Sequence, residues 1–332
     1  MGLAILVSDL GWACRTKYKI EVFLKKIILF FLFTSLWSQE SIAEGMSGDA
    51  LVNYLRTNYK TSSTLGYNTA RDILYLDIER TNGQVRGIYT NYSVTLPDGP
   101  DPSTYLYENG INCEHVWPQS MGAGDEPQKS DMHHLRPCKD NVNSSRGNKP
   151  FGEINDWQTD TWFWQTQSTS NTPSSNINEY SESSSSNFEP REDRKGDIAR
   201  TIFYFYTMYP NEADDSFFQN QKEQMKVWHN QDPSNNDEVI RTWTIAGYQQ
   251  NKPNPFILDE TLIVRAYFPD ELMLLGDLNG DSVLNILDVV TMVGYIMGNT
   301  ELVTPYDIAA DINEDDIVNV LDVVMLVNFI LR

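Results

Sequence analysis

The densest chemistry in this 332-residue chain lies between residues 113 and 148. Cys113-Glu114-His115-Val116-Trp117-Pro118-Gln119-Ser120 is followed by Ser130-Asp131-Met132-His133-His134-Leu135-Arg136-Pro137, then by Asn141-Val142-Asn143-Ser144-Ser145-Arg146-Gly147-Asn148. Three of the four histidines and two of the three cysteines fall here. A core has no use for polar clustering of this kind. A neutral imidazole takes a proton from water near neutral pH. A carboxylate and an amide oxygen are hard ligands suited to Mg2+, which keeps several of its waters. Phosphodiester hydrolysis requires these parts, together with a positively charged side chain on the phosphate.

Short elements must position this set. Asn112 to Pro118 reads as a short strand ending at proline. Neighbours on a strand face opposite ways. Glu114 and His115 therefore diverge on a regular strand, and local twist at its end is expected to bring both to the rim of one site. The pair by itself is also what chance produces. His133 and His134 are open between loop-buttressing hydrogen bonds and a metal role. His229, after Trp228 at a helix end, reads as structural or capping. Trp157, Trp162 and Trp164 read as core or interface, and Arg136 meets either phosphate or a carboxylate.

Residues 46–80 read as helical, with Leu51, Tyr54, Leu55, Ile73, Leu76 and Ile78 at three- and four-residue spacings. Gly87-Ile88-Tyr89-Thr90 reads as a strand, and Pro97 to Pro102 as a loop. Residues 168–187, rich in Ser, Asn, Thr and Glu, read as a surface loop. Lys195 to Tyr209 has the period of a core helix, and a last helix is expected from about Asp215 to Trp228. The pattern changes around Phe268-Pro269.

Taken together, Glu-His-Val-Trp-Pro at 114–118, Ser-Asp-Met-His-His-Leu at 130–135 and Asn-x-x-Arg-x-Asn at 143–148 resemble bacterial endonuclease I. The resemblance extends through Phe188-Glu189-Pro190, Lys195 to Arg200, Trp228-His229, Asp232-Pro233, Asn251 and Asn254-Pro255-Phe256, and spans about 50–262. It implies an α+β fold with a ββα-metal (His-Me finger) core surrounded by helices. It implies that His115 is the general base and that Glu114 and Asn143 hold one Mg2+, with Asn143 on the helix of the motif. Arg146 would contact or stabilise the phosphate. The implied substrate is DNA, with RNA also open, cut with little sequence preference.

Residues 277–296 and 311–330 are identical at 10 of 20 positions with an offset of 34. Asp277, Asn279, Asp281 and Asp288 stand at loop positions 1, 3, 5 and 12, as do Asp311, Asn313, Asp315 and Asp322. Position 7 supplies a backbone carbonyl, from Val283 and Ile317. This is the oxygen spacing of a Ca2+ loop of EF-hand type, so about two Ca2+ sites are expected. The apolar residues that follow, such as Val289, Val290, Val293 and Ile296, should form a packing helix. The pair resembles a type I dockerin, a small all-α calcium-binding module. Position 6 is Ser282 and Asp316 instead of glycine, which implies strain or weaker binding in the second loop. Positions 10 and 11 are Ile286-Leu287 and Val320-Leu321, where cellulosomal dockerins are polar. A cohesin-like partner, a cell-surface partner and an intramolecular role all remain open.

The formal net charge is −21. Residues 277–332 carry ten acidic groups and one basic one, residues 1–44 come to +1, and the centre is left at −13. That argues against tight, groove-tracking DNA binding. It suits a local site that grips few phosphates.

Lys25-Lys26 followed by the uncharged run Ile27–Trp37 reads as an export signal, too short to span a bilayer. Cleavage near Ser41-Ile42-Ala43, or at Ser38, is expected to leave no transmembrane anchor and a secreted, cell-surface or periplasmic protein; a retained N-terminal anchor is the alternative. The expected boundaries are a leader at 1–44, a nuclease-like domain at 45–268 and the repeat module at 276–332. Loss of Cys14 would leave Cys113 and Cys138, either bridged or as free buried thiols. Two other classes stay in view: a calcium-dependent surface or assembly protein with an inactive nuclease-like domain, and a phosphoesterase acting on smaller substrates.

Overall fold

The computed structural model describes residues 41–272, 274–281, 283–302, 306–313 and 315–331. The leader expectations (Cys14 and the run after Lys25-Lys26) fall outside them. Among the described residues no helix is long and apolar enough to cross a membrane.

Helix α1 (Gly48–Tyr59) buries Leu51 and Leu55, one helical turn apart. The helical stretch expected over 46–80 is broken at 60–66, and it resumes as α2 (Tyr67–Ile73) with a wider turn at Leu74–Ile78. A small antiparallel meander follows: β1 (Arg80–Thr81), β2 (Gln84–Arg86) and β3 (Ser93–Thr95). The strand expected at 87–90 is displaced, and the chain turns there instead. Gly87 lies against the neighbouring backbone, and a Cβ on it would stand 3.1 Å from Lys139 N. Pro102 starts a helix where a loop was expected, α3 (Pro102–Glu108). Asp101 caps it by accepting from Thr104 N at 2.7 Å, and proline is at home in a first turn.

The central unit is β4 (Ile111–His115), β5 (Leu135–Lys139) and α4 (Asp140–Arg146), a hairpin followed at once by a helix packed on both strands. Its two faces enter two cores. Cys138 and Val142 join a large aromatic cluster with Trp117, Phe205 and Trp228. Ile111 and Leu135 join Leu74, Val85, Leu106 and Ile245.

A four-stranded sheet runs β7 (Gln167–Thr169), β6 (Thr161–Trp164), β8 (Ser181–Ser183), β9 (Phe188–Glu189) in spatial order. The surface loop expected over 168–187 is corrected by β8, whose serines are buried. Their hydroxyls find partners: Ser181 Oγ donates to Tyr89 O (2.6 Å) and accepts from Arg191 N (2.9 Å). A buried serine is tolerated when it is bonded in this way.

Helix α5 (Lys195–Met208) is buried almost throughout, as its period suggested. The helix expected over 215–228 is divided into α6 (Asp215–Gln219) and α7 (Lys222–Gln231) at Asn220-Gln221. α8 (Asn236–Tyr248), α9 (Pro255–Leu258) and α10 (Leu262–Tyr267) complete this part. The fold class is α+β.

In the C-terminal repeat, α11 (Ile286–Ile296) packs on α13 (Val320–Ile330), with the short α12 (Tyr306–Ala309) before the second loop. Equivalent residues of the two copies, Met292 and Leu326, meet in a six-residue core completed by Leu278, Ala309, Ala310 and Ile312. Val289 and Ile296 pack against this core, but Val290 and Val293 face outward, against expectation. Ile286, Leu287, Val320 and Leu321 are also exposed.

Candidate active site

β4 and β5 pair antiparallel from Ile111↔Lys139 to His115↔Leu135. Alternation puts Asn112, Glu114, Arg136 and Cys138 on one face, with Cys113 and His115 on the other. Pairing continues past His115 through Val116 N to His134 O (3.0 Å). Glu114 and His115 therefore leave the strand on opposite faces, at one strand end where Arg146 reaches both residues. The same register puts Cys113 and Cys138 on opposite faces, so the bridge is not made and both are free thiols.

On the first face, Glu114 is 2% exposed. Its Oε1 accepts from Tyr89 OH at 2.9 Å and lies 3.5 Å from Arg146 Nη1. Burial raises its pKa, opposed by the Arg146 charge and the tyrosine hydrogen bond. Asn143, half-buried on α4, donates through Nδ2 to Asn112 Oδ1 (2.7 Å) and Cys113 O (3.3 Å). Anchoring the amide nitrogen turns Oδ1 away from those acceptors. Among the described residues, neither Asn143 Oδ1 nor Glu114 Oε2 has a hydrogen-bond partner. One carboxylate oxygen and one amide oxygen, oriented by neighbours and left unbonded, suit a hard divalent cation that retains its waters. No three His, Cys, Asp or Glu side chains converge as a metal set among the described residues.

Arg146 departs from expectation. It is 0% exposed and donates to His115 O (3.2 Å) and Val116 O (2.6 Å), with its guanidinium over the Phe151 ring at 4.5 Å. Its Nη groups are turned to protein oxygens and closed off from solvent. It ties α4 to the end of β4 and offsets the charge on Glu114.

On the second face, His115 Nε2 lies 3.0 Å from Lys129 O and Nδ1 lies 3.2 Å from Gln119 Nε2. With Nε2 donating to the carbonyl, Nδ1 is the accepting nitrogen. The ring packs against Tyr67 (5.3 Å) and His134 (5.4 Å). Burial, reinforced by neighbouring cationic groups, pushes its pKa down to about 3, so the imidazole is neutral. Beyond it, Trp117 stacks on Phe205 (4.7 Å) and donates to Met121 O (2.7 Å), pinning the chain where it leaves the strand. Gly122 then passes against Glu212, whose carbonyl oxygen would lie 1.9 Å from any Cβ there.

His133 and His134 are buried, with Nε2 on Lys252 O (2.8 Å) and Gln128 O (2.6 Å), so both act as braces. Between them and the large core, buried Asp131 accepts from His133 N, Gln249, Tyr204 and Tyr209. Arg136 faces carboxylates, Asp197 at 3.2 Å and Glu79 at 3.6 Å. His229 is structural, between Arg200 and Glu260 O. Trp162 is core, whereas Trp157 is 81% exposed and not part of the core.

Tyr89, Asn112, Gln119 and Lys129 are site residues that the motifs did not single out. Asn112 alone carried a signal, being two residues before Glu114 and hence on its face.

In the repeat, each loop folds on its own backbone. Asp288 is fully buried and its oxygens accept from Leu278 N (3.0 Å) and Asn285 N (2.9 Å). Asp322 does the same with Ile312 N (2.9 Å) and Asn319 N (2.8 Å). Asp281 N and Asp315 N bond the Asn279 and Asn313 side-chain oxygens (2.9 and 3.1 Å), and Gly280 N bonds Asp277 (2.9 Å). Asp311 accepts from Asp315 N (3.1 Å) and Asp316 N (2.7 Å). The Val283 and Ile317 carbonyls accept from Asn285 and Asn319 (3.1 and 3.0 Å). Asp316, at the position expected to be strained, has φ +65°.

A family model described as Endonuclease I matches residues 47–260, and one described as Dockerin type I domain matches 275–331. An "Extracellular ribonuclease" of Bacillus subtilis (strain 168) is 29% identical over 244 residues, 65% of this chain and 73% of that protein. An "Extracellular ribonuclease" of Bacillus amyloliquefaciens is 31% identical over 164 residues, 44% of this chain and half of that protein's length.

Proposed function

The chain belongs to the endonuclease I family, and from that membership we propose that it is an exported, Mg2+-dependent endonuclease of low sequence preference, with a calcium-binding module at its C-terminus. The observation that carries this reading is the pair of oriented, unbonded oxygens, Glu114 Oε2 and Asn143 Oδ1, on the opposite face of one strand end from a neutral histidine. The boundaries proposed are a leader at 1–44, the nuclease domain at 45–268 and the repeat at 276–332.

Glu114 and Asn143 would hold the cation. Bound Mg2+ would stabilise negative charge on the phosphoryl and leaving oxygens. The protein's own share is positional and acid–base. Lys129 O fixes the His115 ring so that Nδ1 offers its lone pair. Gln119, exposed on a turn, stands where the attacking water would be received and yields that place to it. His115 then takes the water proton as the oxygen bonds to phosphorus and the ester oxygen leaves. Arg146 holds Glu114 in place and touches no substrate.

DNA and RNA are both proposed substrates, because the site reads the backbone. The names of the relatives support export and RNA as a substrate. Asp277, Asn279, Asp281, Val283 and Asp288, with Asp311, Asn313, Asp315, Ile317 and Asp322, are proposed to hold about two Ca2+ ions. The module would dock the enzyme to a cohesin-like or cell-surface partner.

Plasmid nicking by residues 45–332 tests the reading. Nicking should require Mg2+, stop in EDTA, and fall on the order of a hundredfold to ten-thousandfold in His115→Ala. Absence of Mg2+-dependent nicking would sink it.

A further inference from the structure

With Arg146 and Arg136 both turned to protein partners, the positive charge that phosphodiester cleavage needs must come from elsewhere. The His115 side of the ribbon supplies it. Lys129, whose carbonyl holds His115 Nε2 at 3.0 Å, places its ammonium 5.5 Å from the centre of the Tyr67 ring. Arg71, on the same helix as Tyr67, places its guanidinium carbon 4.7 Å from that centre. Tyr67 in turn packs on the His115 ring at 5.3 Å. Two cations and the accepting histidine thus share one aromatic side chain.

Neither cation is neutralised. In this acidic domain Arg80, Arg136, Arg146, Arg191, Arg194, Arg200, Arg241 and Arg265 each lie within ion-pair distance of a carboxylate. Arg71 and Lys129 make no such pair among the described residues. Arg71 Nη2 donates to Asn68 (3.1 Å), and its Nε is buried without a partner. Two carboxylates line the same hollow as Arg71 without reaching ion-pair distance: Asp72 accepts from Ser103, and Asp101 caps Thr104 while feeling the Arg71 charge. Both cations are half-buried, so an anion reaching them would displace little water and meet little screening.

We propose that Tyr67, Arg71 and Lys129 form a phosphodiester-binding subsite that seats the nucleic-acid strand beside His115. This rests on the nuclease reading and adds to it the residues that grip the substrate. It also reconciles activity on a polyanion with a net charge of −21, because only two uncompensated charges need to face the backbone. Lys129 has a double part. Its main chain orients the base and its side chain meets the phosphate, so substitution of the side chain leaves the carbonyl bond to His115 intact.

Binding of a fluorescein-labelled duplex by His115→Ala, followed by anisotropy between 50 and 200 mM salt, tests the subsite. Each phosphate contact contributes roughly 3.5-fold to the affinity lost over that range, through a slope near 0.9. Lys129→Gln and Arg71→Gln, each made in that background, should lower the slope by about one apiece. Lys129→Arg should restore it, an outcome a merely structural role would not give. In the active chain the same neutralisations should raise KM more than they lower kcat, with thermal unfolding unchanged. A double variant that nicks with the wild-type KM and salt slope overturns the subsite and leaves the nuclease reading standing. A wild-type chain that neither binds nor nicks overturns both.

Discussion

Glu114 in the hairpin and Asp322 in the second repeat are both buried carboxylates proposed to hold a cation, but different parts of the chain hold them. Glu114 is held by Tyr89, 25 residues upstream, and by Arg146, 32 residues downstream. Asp322 is held by backbone N–H groups of Ile312, Asn313 and Asn319, all within ten residues and all from its own loop. The first site is a product of tertiary structure, set between two large cores. The second is local, and beneath it, among the described residues, six apolar side chains are buried with nine partly buried ones packed around them. Cores so small seldom sustain a fold without a staple or a metal. The hairpin site should therefore exist before its ion arrives, and the repeat should depend on its ions for structure.

The largest expected effect follows directly. In EGTA, hydrogen exchange should show loss of protection across 286–296 and 320–330, while 195–208 stays protected. Equal protection of both regions with and without calcium would remove the contrast. Next in size is Arg146→Ala. It strands the buried Glu114 charge and leaves the 115 and 116 carbonyls without a donor. Breaking a buried pair in this way costs about 3–5 kcal/mol. Denaturant unfolding should register that loss in the nuclease domain, with the repeat transition unmoved.

How far the sequence carried the reading follows the same division. Local features were legible. These include a strand over 112–115 (it stops short of the proline), the strongly periodic 195–208 helix, and the 34-residue offset that brings Met292 against Leu326; the helix that bears Asn143 came from the family resemblance. What depended on register or on distant partners was not. Arg146 sits in a motif that suggests phosphate binding, and its burial follows from Phe151 and two carbonyls that no spacing announces. The opposed faces of Cys113 and Cys138 follow from the pairing Asn112↔Cys138, which a sequence does not contain. The serine-rich stretch was read from composition, yet Ser181 is a strand residue paired with Phe163, and its hydroxyl is satisfied by Tyr89 O. Tyr89 itself carried no signal.

Acidity should separate the two regions again. Burial depresses His133 from its ordinary 6.5 to about 4, against the pull of Asp131 and the Lys252 carbonyl. Between those values the unfolded chain binds a proton that the native domain refuses. Stability is therefore complete above pH 6.5 and drains as pH falls toward 4, by roughly 3 kcal/mol for this residue. His133→Gln, which keeps a hydrogen-bonding side chain without the titration, should flatten that slope. The repeat contains no histidine and should show no loss over this interval. A repeat that melts in step with the nuclease domain from pH 6.5 to 5 would contradict the assignment.

The smallest effect probes the repeat's local construction. Asp316 is held at φ +65°, where a side chain is disfavoured, because its N–H must reach Asp311 Oδ2 at 2.7 Å. Glycine keeps that N–H and enters the same backbone region without penalty. Asp316→Gly also removes one carboxylate from a crowded loop. The second repeat should gain about 1 kcal/mol, read as a higher unfolding midpoint at fixed calcium, with nuclease activity unchanged. A lower midpoint would mean that the Asp316 carboxylate helps to hold the ion. The loop would then be organised by charge as well as by backbone, and the contrast with Glu114 would narrow.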